Sequence, residues 1–393
     1  MMQTTRINEM VASSCFATPE GADEFYLVCE TGETVSFEKA LIKLRENYIH
    51  ALQKLGLSEK TLVFCRFFLS NIINQKDALR SSDIFGMVKR GAVSVIQQSP
   101  CVPDAVVLLA YHVRGKNRPF HKSIYSDGAD TWRTGVTVKG EHYSMVWTAN
   151  FTGTGPLDSQ KQTQALLTSL SAYLRSQNVN VRENLVRTWI FVRDIDTHYQ
   201  GMVDARRDFF LSQGLTEDSR YVASTGIEGN AAAPGRLVSL DSLSFGGITE
   251  KQILPMNAPD NMPPTITYGV TFERGLRIKF GDRSHVYISG TASIDKEGKI
   301  MHGGDVENQT RRTLDNIGML LKNQGASLSD MAYILCYVRN VEHFAHVRAI
   351  LNDRVPRDIP LIALRGAVCR PGWLVELEGV AIIPDANQFP PFF

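Results

Sequence analysis

The stretch His285-Val-Tyr-Ile-Ser-Gly290, in the last third of the chain, predicts a β-strand because β-branched and aromatic residues dominate it. The next regular element is a helix over residues 305–323, in which apolar residues recur at helical spacing. Asp305 can cap the free N–H groups at the start of this helix, and Gly325 can end it. A strand followed by an amphipathic helix is therefore the first half of the unit that decides the fold.

The second half of the unit continues with three more strands and one more helix. Residues 331–338 predict a strand, residues 341–351 a helix, and residues 361–369 and 373–383 two closing strands. The element order is β-α-β-α-β-β, and the predicted fold class is α+β.

The same unit occurs three times along the chain. The middle copy contains Arg187-Thr-Trp-Ile-Phe-Val-Arg-Asp194, which matches Ile334-Leu-Cys-Tyr-Val-Arg-Asn340 and ends in the same Val-Arg-polar step. An N-terminal copy matches the C-terminal copy at a constant offset of 269 residues, without a gap, as in the pairs 325/56, 327/58 and 340/71. Such a match favours a true repeat over the general similarity of α/β sequence patterns. We therefore predict three modules, at residues 1–111, 141–245 and 265–393, joined by a connecting loop over 112–140 and a linker over 246–264.

The composition disfavours several classes of function. The 393 residues include 42 Lys and Arg against 41 Asp and Glu, and a net charge of +1 provides no surplus of cations for binding phosphates. We therefore expect no nucleic-acid partner and no membrane partner. The sequence shows no secretory signal and no apolar stretch of about 20 residues, and its six cysteines include no Cys-x-x-Cys pair. These features favour a cytoplasmic protein with reduced thiols.

No cofactor and no metal ion are predicted. The glycine-rich motifs Gly-x-Gly-x-x-Gly and Gly-x-x-x-x-Gly-Lys-Ser/Thr, which bind nucleotide phosphates, do not occur. His343 and His346 lie three residues apart in a predicted helix, but no third metal ligand follows at a useful spacing.

Three segments of the C-terminal copy carry a family resemblance: Tyr287-Ile-Ser-Gly-Thr-Ala-Ser-Ile-Asp295, Gln309-Thr-Arg-Arg-Thr-Leu-Asp-Asn316 and Leu374-Val-Glu-Leu-Glu-Gly379. They resemble the RidA/YjgF family of reactive-intermediate deaminases. That family folds as chorismate-mutase-like β-α-β-α-β-β modules, which form trimers with active sites in the clefts between subunits. The resemblance implies that three tandem modules form a pseudo-trimer within one chain, so that the protein is a monomer or a low-order homo-oligomer.

The last two modules contain further short motifs in a shared order: Arg187-Thr-Trp189, Arg207-Asp-Phe209, Ala223-Ser-Thr-Gly-Ile227, Ile288-Ser-Gly-Thr291, and Cys369 seven residues before Glu376. In this order, residues 141–385 are similar to the chorismatases, which join RidA-like modules in one polypeptide. Gly290 and Cys369 resemble the 3-hydroxybenzoate-forming type, whereas the diol-forming type usually has alanines at these positions. The additional N-terminal module departs from the usual chorismatase length, and the resemblance therefore leaves the substrate open.

The two closing strands contain the candidate catalytic acids. If residues 371–372 form the centre of a tight turn, the strands pair as a hairpin, and period-two alternation puts Arg365 and Cys369 on one face with Glu376 and Glu378. Only the C-terminal copy has acids at both positions; the matching residues of the other copies are near Leu108 and Ala110, and at Ser239 and Asp241. We therefore expect one working site.

Glu376 is predicted to be the general acid, with Glu378 as a second catalytic acid beside it. Apolar neighbours and a nearby carboxylate both favour the protonated form of Glu376. The alternative is that both glutamates line the solvated face of an antiparallel sheet, with Arg365 and Glu378 as a cross-strand ion pair.

An anionic substrate requires cations, and arginine suits a carboxylate because its planar fork donates two N–H groups. The candidate arginines, each of which could instead be a solvated surface cation, are Arg187, Arg207, Arg220 and Arg365. By the resemblance, Arg220 occupies the place of the carboxylate-binding arginine of RidA-type deaminases. Gly290 and Cys369 are expected to shape the substrate pocket, since no nearby base is evident that would convert Cys369 into a thiolate nucleophile.

Several functions remain open. The resemblance favours a cofactor-free, chorismatase-like lyase or hydrolase that acts on chorismate or a similar small enolpyruvyl carboxylate and releases pyruvate. The alternative is a RidA-type deaminase that hydrolyses reactive enamines or imines and releases ammonia. A small-carboxylate-binding protein without turnover is a further possibility. An endoribonuclease or translation inhibitor, as members of this superfamily have been described, finds no support in the charge balance.

Overall fold

The computed structural model describes residues 2–19, 21–116, 120–128 and 132–393. Within these ranges the strands form three sheets, each with α-helices packed against it, and each sheet is built mainly from one third of the chain. This arrangement confirms the predicted α+β fold with three repeated modules. No helix in the described ranges combines the length and the apolar character needed to cross a membrane.

Module 1 contains a sheet whose strands run in the order β1-β2-β3-β6-β4-β5. Its elements are β1 (Met2–Asn8), β2 (Val11–Phe16), β3 (Asp23–Cys29), α1 (Phe37–Leu55), β4 (Leu62–Leu69), α2 (Ile72–Arg80), α3 (Asp83–Val88), β5 (Ala92–Gln97) and β6 (Val106–Arg114). Ser36 caps the start of α1 by accepting the N–H of Lys39, and Gly56 ends the helix at a φ of 63°.

Module 2 contains a sheet in the order β11-β10-β13-β9-β8-β7. Its elements are β7 (His121–Ser126), β8 (Thr134–Lys139), β9 (Ser144–Thr152), α4 (Ser159–Ser176), α5 (Val181–Asn184), β10 (Leu185–Val192), α6 (Ile195–Ser212), β11 (Ala223–Glu228), β12 (Asn230–Ala231) and β13 (Val238–Gly246). The short strand β12 leaves this sheet and extends the edge of the module 1 sheet beside β5.

The segment that we expected to be a connecting loop, residues 112–140, differs from that expectation. It contains the end of β6 and the antiparallel pair of β7 and β8. The edge strand β7 is polar and mostly exposed, so its sequence has the polar character of a loop although its backbone pairs along its whole length. Residues 117–119 and 129–131 of the same segment lie outside the described ranges.

Module 3 contains a sheet in the order β14-β15-β16-β19-β17-β18. Its elements are β14 (Ile253–Pro255), β15 (Gly275–Lys279), β16 (Arg283–Ala292), α7 (Val306–Lys322), β17 (Met331–Val338), α8 (Phe344–Arg354), β18 (Leu361–Arg365) and β19 (Val375–Pro384). The helix predicted at residues 305–323 and the strand predicted at 331–338 are confirmed, and Asp305 caps α7 by accepting the N–H of Asn308. The predicted linker, residues 246–264, includes the edge strand β14.

The closing hairpin was predicted incorrectly. A tight turn does exist at residues 371–372, where the N–H of Trp373 donates to the carbonyl of Arg370 at 3.0 Å. However, β18 pairs in parallel with β17, and β19 lies between β16 and β17 instead of beside β18. The reason is the connection between strands. Helix α8 joins β17 to β18 as a β-α-β crossover, which makes these two strands parallel neighbours. The chain then passes β17 and forms β19 on its other side, so that β18 and β19 are not adjacent.

Three buried ion pairs join the modules to one another. Their partners are Arg66 with Asp241, Arg187 with Glu378, and Arg283 with Glu24, one pair for each combination of two modules. Removing one partner of such a pair leaves an uncompensated buried charge, which costs about 3–5 kcal/mol. The pairs therefore favour one arrangement of the three modules.

Candidate active site

A cleft lies between modules 2 and 3 and encloses about 560 Å³, including its open mouth. Module 2 contributes residues 224–226 of β11 and one face of α6. Module 3 contributes β16, β19, the segment that precedes β19, and residues 270–274 before β15. The wall of the cleft includes three of the predicted site residues, which are Gly290, Cys369 and Glu376.

A β-bulge in β16 makes room for the Glu376 carboxyl. The pairing of β16 with β19 shifts register between Ile288 and Thr291, so that Gly290 lies in the irregular step. A Cβ atom at Gly290 would lie 2.3 Å from Oε1 of Glu376. The carboxyl group therefore packs directly against Gly290, and a side chain at this position would require the Glu376 carboxyl to move.

Glu376 is a buried acid with an unusual protonation equilibrium. Its side chain is 5% exposed, and no hydrogen bond to its carboxyl group is found within the described ranges. Burial, and next the charge of Glu378, raise its pKa from 4.5 to about 8, against the opposing effects of Arg187 and Arg274. A carboxyl group with this pKa is protonated at neutral pH and can donate a proton to a bound molecule.

Glu378 points to the interior behind the cleft and has a full set of partners. The Tyr337 hydroxyl donates to its Oε1 at 2.7 Å, and Arg187 and Thr225 both donate to Oε2. The Arg187 guanidinium also donates to Thr225 Oγ1 at 2.6 Å. Neither Arg187 nor Glu378 lines the cleft itself.

Cys369 and Tyr199 both line the cleft. Burial, with the charge of Glu376 as the next contribution, raises the pKa of Cys369 to about 12. Burial likewise raises the pKa of Tyr199 well above its usual value. Both groups therefore stay neutral at physiological pH, and a thiolate nucleophile is not formed.

The other predicted arginines lie outside the cleft wall. Arg207 is exposed on α6 and pairs with Asp204 and Asp208. Arg220 is buried, and its guanidinium donates to the backbone carbonyls of residues 182, 185 and 221 at 2.7–3.2 Å. Arg365 is exposed at the end of β18 because that strand is at the edge of the sheet. Each of these three is engaged elsewhere or directed to solvent, and none of them lines the cleft.

Three arginines that the sequence reasoning did not single out line the cleft instead: Arg206, Arg274 and Arg370. Arg206 is buried and donates to Ser224 Oγ at 3.4 Å. Arg274 donates to the carbonyl of Pro263 at 3.0 and 3.2 Å. Helical phase could have identified Arg206, because it lies seven residues after Tyr199 on the same face of α6, whereas Arg207 is rotated by about 100°.

Comparisons with known proteins are consistent with this geometry. Residues 278–383 match the family model described as Endoribonuclease L-PSP. A chorismatase from Streptomyces rapamycinicus is 26% identical over 221 residues, which are 50% of this chain and 64% of that protein. A 3-hydroxybenzoate synthase from Streptomyces hygroscopicus is 28% identical over 221 residues, 51% of this chain and 64% of that protein. The chain thus spans slightly less than two thirds of the length of these relatives.

A solved structure shares the fold of nearly the whole chain. The crystal structure of a chorismatase superposes with a TM-score of 0.65 at 18% identity, and the match covers 93% of this chain and 100% of the other. At this identity the similarity establishes the fold alone. Residues 278–383 thus match the Endoribonuclease L-PSP family model, and about half of the chain is similar in sequence to chorismatases.

Proposed function

We propose that this protein is a chorismatase-like enzyme that cleaves chorismate or a similar small enolpyruvyl carboxylate and releases pyruvate, without a cofactor. The observation that carries the proposal is the buried carboxyl of Glu376, which is protonated at neutral pH and lies on the wall of the cleft between modules 2 and 3. The similarity to a chorismatase and to a 3-hydroxybenzoate synthase supports the choice of substrate.

The chemistry of an enol ether requires such an acid. Transfer of the Glu376 proton to the methylene carbon converts the enolpyruvyl group into an oxocarbenium ion and leaves a glutamate carboxylate. A water molecule then adds to the cationic carbon and returns one proton to Glu376. The resulting hemiketal collapses to pyruvate and the ring diol, which consumes one water. Loss of one water from this diol, with its 4-hydroxyl as the leaving group and the C3 proton removed, gives 3-hydroxybenzoate, so that no water is consumed overall when that is the product.

The remaining wall of the cleft suits a flat, doubly charged substrate. The arginines that line it, Arg206, Arg274 and Arg370, can bind carboxylates from more than one direction. Aromatic rings are provided by Tyr199, Phe272 and Trp373. Gly290 and Cys369 both line the cleft, which supports our proposal that they shape the substrate pocket and that the product class is the 3-hydroxybenzoate-forming type.

The test is to incubate the purified protein with chorismate and to measure pyruvate and aromatic products. We expect pyruvate from the wild type, and a rate lower by at least about 100-fold from Glu376→Gln, which cannot donate the proton. Glu307→Gln is the matched control, because Glu307 is an exposed acid on α7 that pairs with His346. Absence of pyruvate from the wild type would refute the proposal.

The geometry does not favour the deaminase alternative. That function required Arg220 to bind the substrate carboxylate, and the Arg220 guanidinium is bound to backbone carbonyls away from the cleft. Ammonia release from freshly generated 2-iminopropanoate, without pyruvate release from chorismate, would reverse this conclusion.

A further inference from the structure

Arg187, Thr225 and Glu378 form a buried cluster behind the Glu376 carboxyl. Each of the three side chains is about 1% exposed. Arg187 belongs to β10 and Thr225 to β11, both in module 2, whereas Glu378 belongs to β19 in module 3. The cluster therefore exists only when the two modules that form the cleft are assembled.

The hydrogen bonds of Thr225 determine which groups in the cluster are donors. Its Oγ1 accepts the guanidinium of Arg187 at 2.6 Å and the backbone N–H of Gly290 at 2.9 Å. A hydroxyl that accepts two hydrogen bonds has one proton left to donate, and Thr225 directs it to Oε2 of Glu378. With the Tyr337 hydroxyl on Oε1, Glu378 is an acceptor at both oxygens, as a carboxylate is.

The charge on Glu378 acts on Glu376 because the two residues are two positions apart in β19, and their side chains therefore extend from the same face of the strand. A second negative charge beside the first is unfavourable in a buried environment. The partners that stabilise the charge on Glu378 therefore oppose ionisation of Glu376, in agreement with the raised pKa of Glu376, to which burial makes the larger contribution.

The same cluster also fixes the position of Glu376. Thr225 binds the backbone N–H of Gly290, and Gly290 is the bulge residue on which the Glu376 carboxyl packs. The Thr225 methyl group would lie 3.1 Å from a Cβ at Gly290, so this wall is closely packed as well. The Thr225 hydroxyl thus binds both the Glu378 carboxylate and the backbone of the bulge residue Gly290.

We infer that Arg187, Thr225 and Glu378 are positioning residues, which hold the negative charge on Glu378 and keep the transferable proton of the site on Glu376. This assigns Glu378 and Arg187 roles other than the second catalytic acid and the substrate-binding cation that the sequence suggested. The transfer of this proton to a substrate rests on the proposed function, whereas the location of the proton on Glu376 does not. The other ionisable side chains that line the cleft with Glu376 are Tyr199, Arg206, Arg274, Cys369 and Arg370, and Tyr337 of β17 is its cross-strand neighbour.

The experiment is a direct titration of Glu376 in the full-length protein without substrate. The protein is labelled with ¹³C at the glutamate carboxyl carbons, and Glu376→Gln identifies the resonance of Glu376. We expect a midpoint of about 8 in the wild type. Glu378→Gln should lower it to below about 7, since the neighbouring negative charge is removed.

Two further variants guard against misfolding and nonspecific effects. The double variant Glu378→Gln/Arg187→Met removes both buried charges, avoids an unpaired guanidinium, and should still lower the midpoint, because Glu378 affects Glu376 more than Arg187 does. Glu24→Gln is the matched control: Glu24 also accepts from an arginine and a tyrosine, Arg283 and Tyr111, but at the interface of modules 1 and 3. It should leave the midpoint unchanged.

Thr225 is tested separately through kinetics. Thr225→Val keeps both charges and should reduce kcat by about tenfold or more with little change in KM, whereas Thr225→Ser, which keeps the hydroxyl, should restore most of kcat. An unchanged Glu376 midpoint in both Glu378 variants would overturn the inference, even if chorismate is cleaved. A lowered midpoint in a protein that does not cleave chorismate would refute the proposed function alone.

Discussion

The proposed function predicts a pH dependence of pyruvate release that is set by the environment of Glu376. Burial and the charge of Glu378 raise the pKa of this carboxyl from 4.5 to about 8. At pH 7 about nine-tenths of the molecules then carry the proton, whereas an ordinary glutamate would be protonated in only about 0.3% of them. The environment therefore increases the population of the reactive form roughly 300-fold at pH 7.

The assay is kcat/KM for pyruvate release from chorismate between pH 5.5 and 10. Since the protonated form is the active one, kcat/KM should be nearly constant up to about pH 7 and should fall about tenfold for each pH unit above pH 8. Circular dichroism at each pH separates loss of activity from unfolding. A profile that already falls about tenfold per pH unit between pH 5.5 and 7, or that rises through pH 8, would refute the assignment of Glu376 as the proton donor.

Three other predictions concern the cleft. Arg206→Ala should raise KM for chorismate by about 10- to 100-fold, because it removes a cation from the cleft wall. The control Arg207→Ala should change KM less than about twofold, since Arg207 is exposed on α6 outside the cleft wall. Equal effects of the two substitutions would contradict the observed phase of α6. Cys369→Ala should still release pyruvate within about tenfold of the wild-type rate, with an altered product distribution, because its neutral thiol is not a nucleophile; complete inactivation with an intact fold would show otherwise. The stability of the wild type should fall relative to that of Glu376→Gln as the pH rises from 4.5 to about 8. The reason is that the Glu376 carboxyl has a higher pKa in the folded protein than in the unfolded chain, so that the folded state loses its advantage as this carboxyl loses its proton. The difference in the free energy of unfolding should grow by up to about 4 kcal/mol and is measured by urea denaturation, with Glu307→Gln as the control that shows no such trend.

The regular elements of module 3 could be predicted because their signals are local. Asp305 and Gly325 mark the limits of α7, and the apolar run at 331–338 marks β17. The order of strands in the sheet is not local information. The turn at 371–372 forms as expected, but whether the strands beside it pair depends on the β-α-β crossover, which no short window of sequence contains.

The candidate site was predictable to a similar extent. Glu376, Gly290 and Cys369 were identified, and the structure brings them together in one cleft. The cations were not, because an arginine looks the same in the sequence whether its guanidinium binds backbone carbonyls, as in Arg220, or lines a cleft, as in Arg206. That difference is set by helix phase and by contacts between modules, which only the folded chain defines.

The central claim is that the Glu376 carboxyl meets an enolpyruvyl group in the cleft between modules 2 and 3. A crystal structure of Glu376→Gln with chorismate tests it most directly, because this variant should bind the substrate without cleaving it. We predict that the side chain of residue 376 lies about 3–3.5 Å from the methylene carbon of the enolpyruvyl group. Chorismate bound elsewhere, or bound in the cleft with its methylene carbon beyond reach of residue 376, would contradict the account.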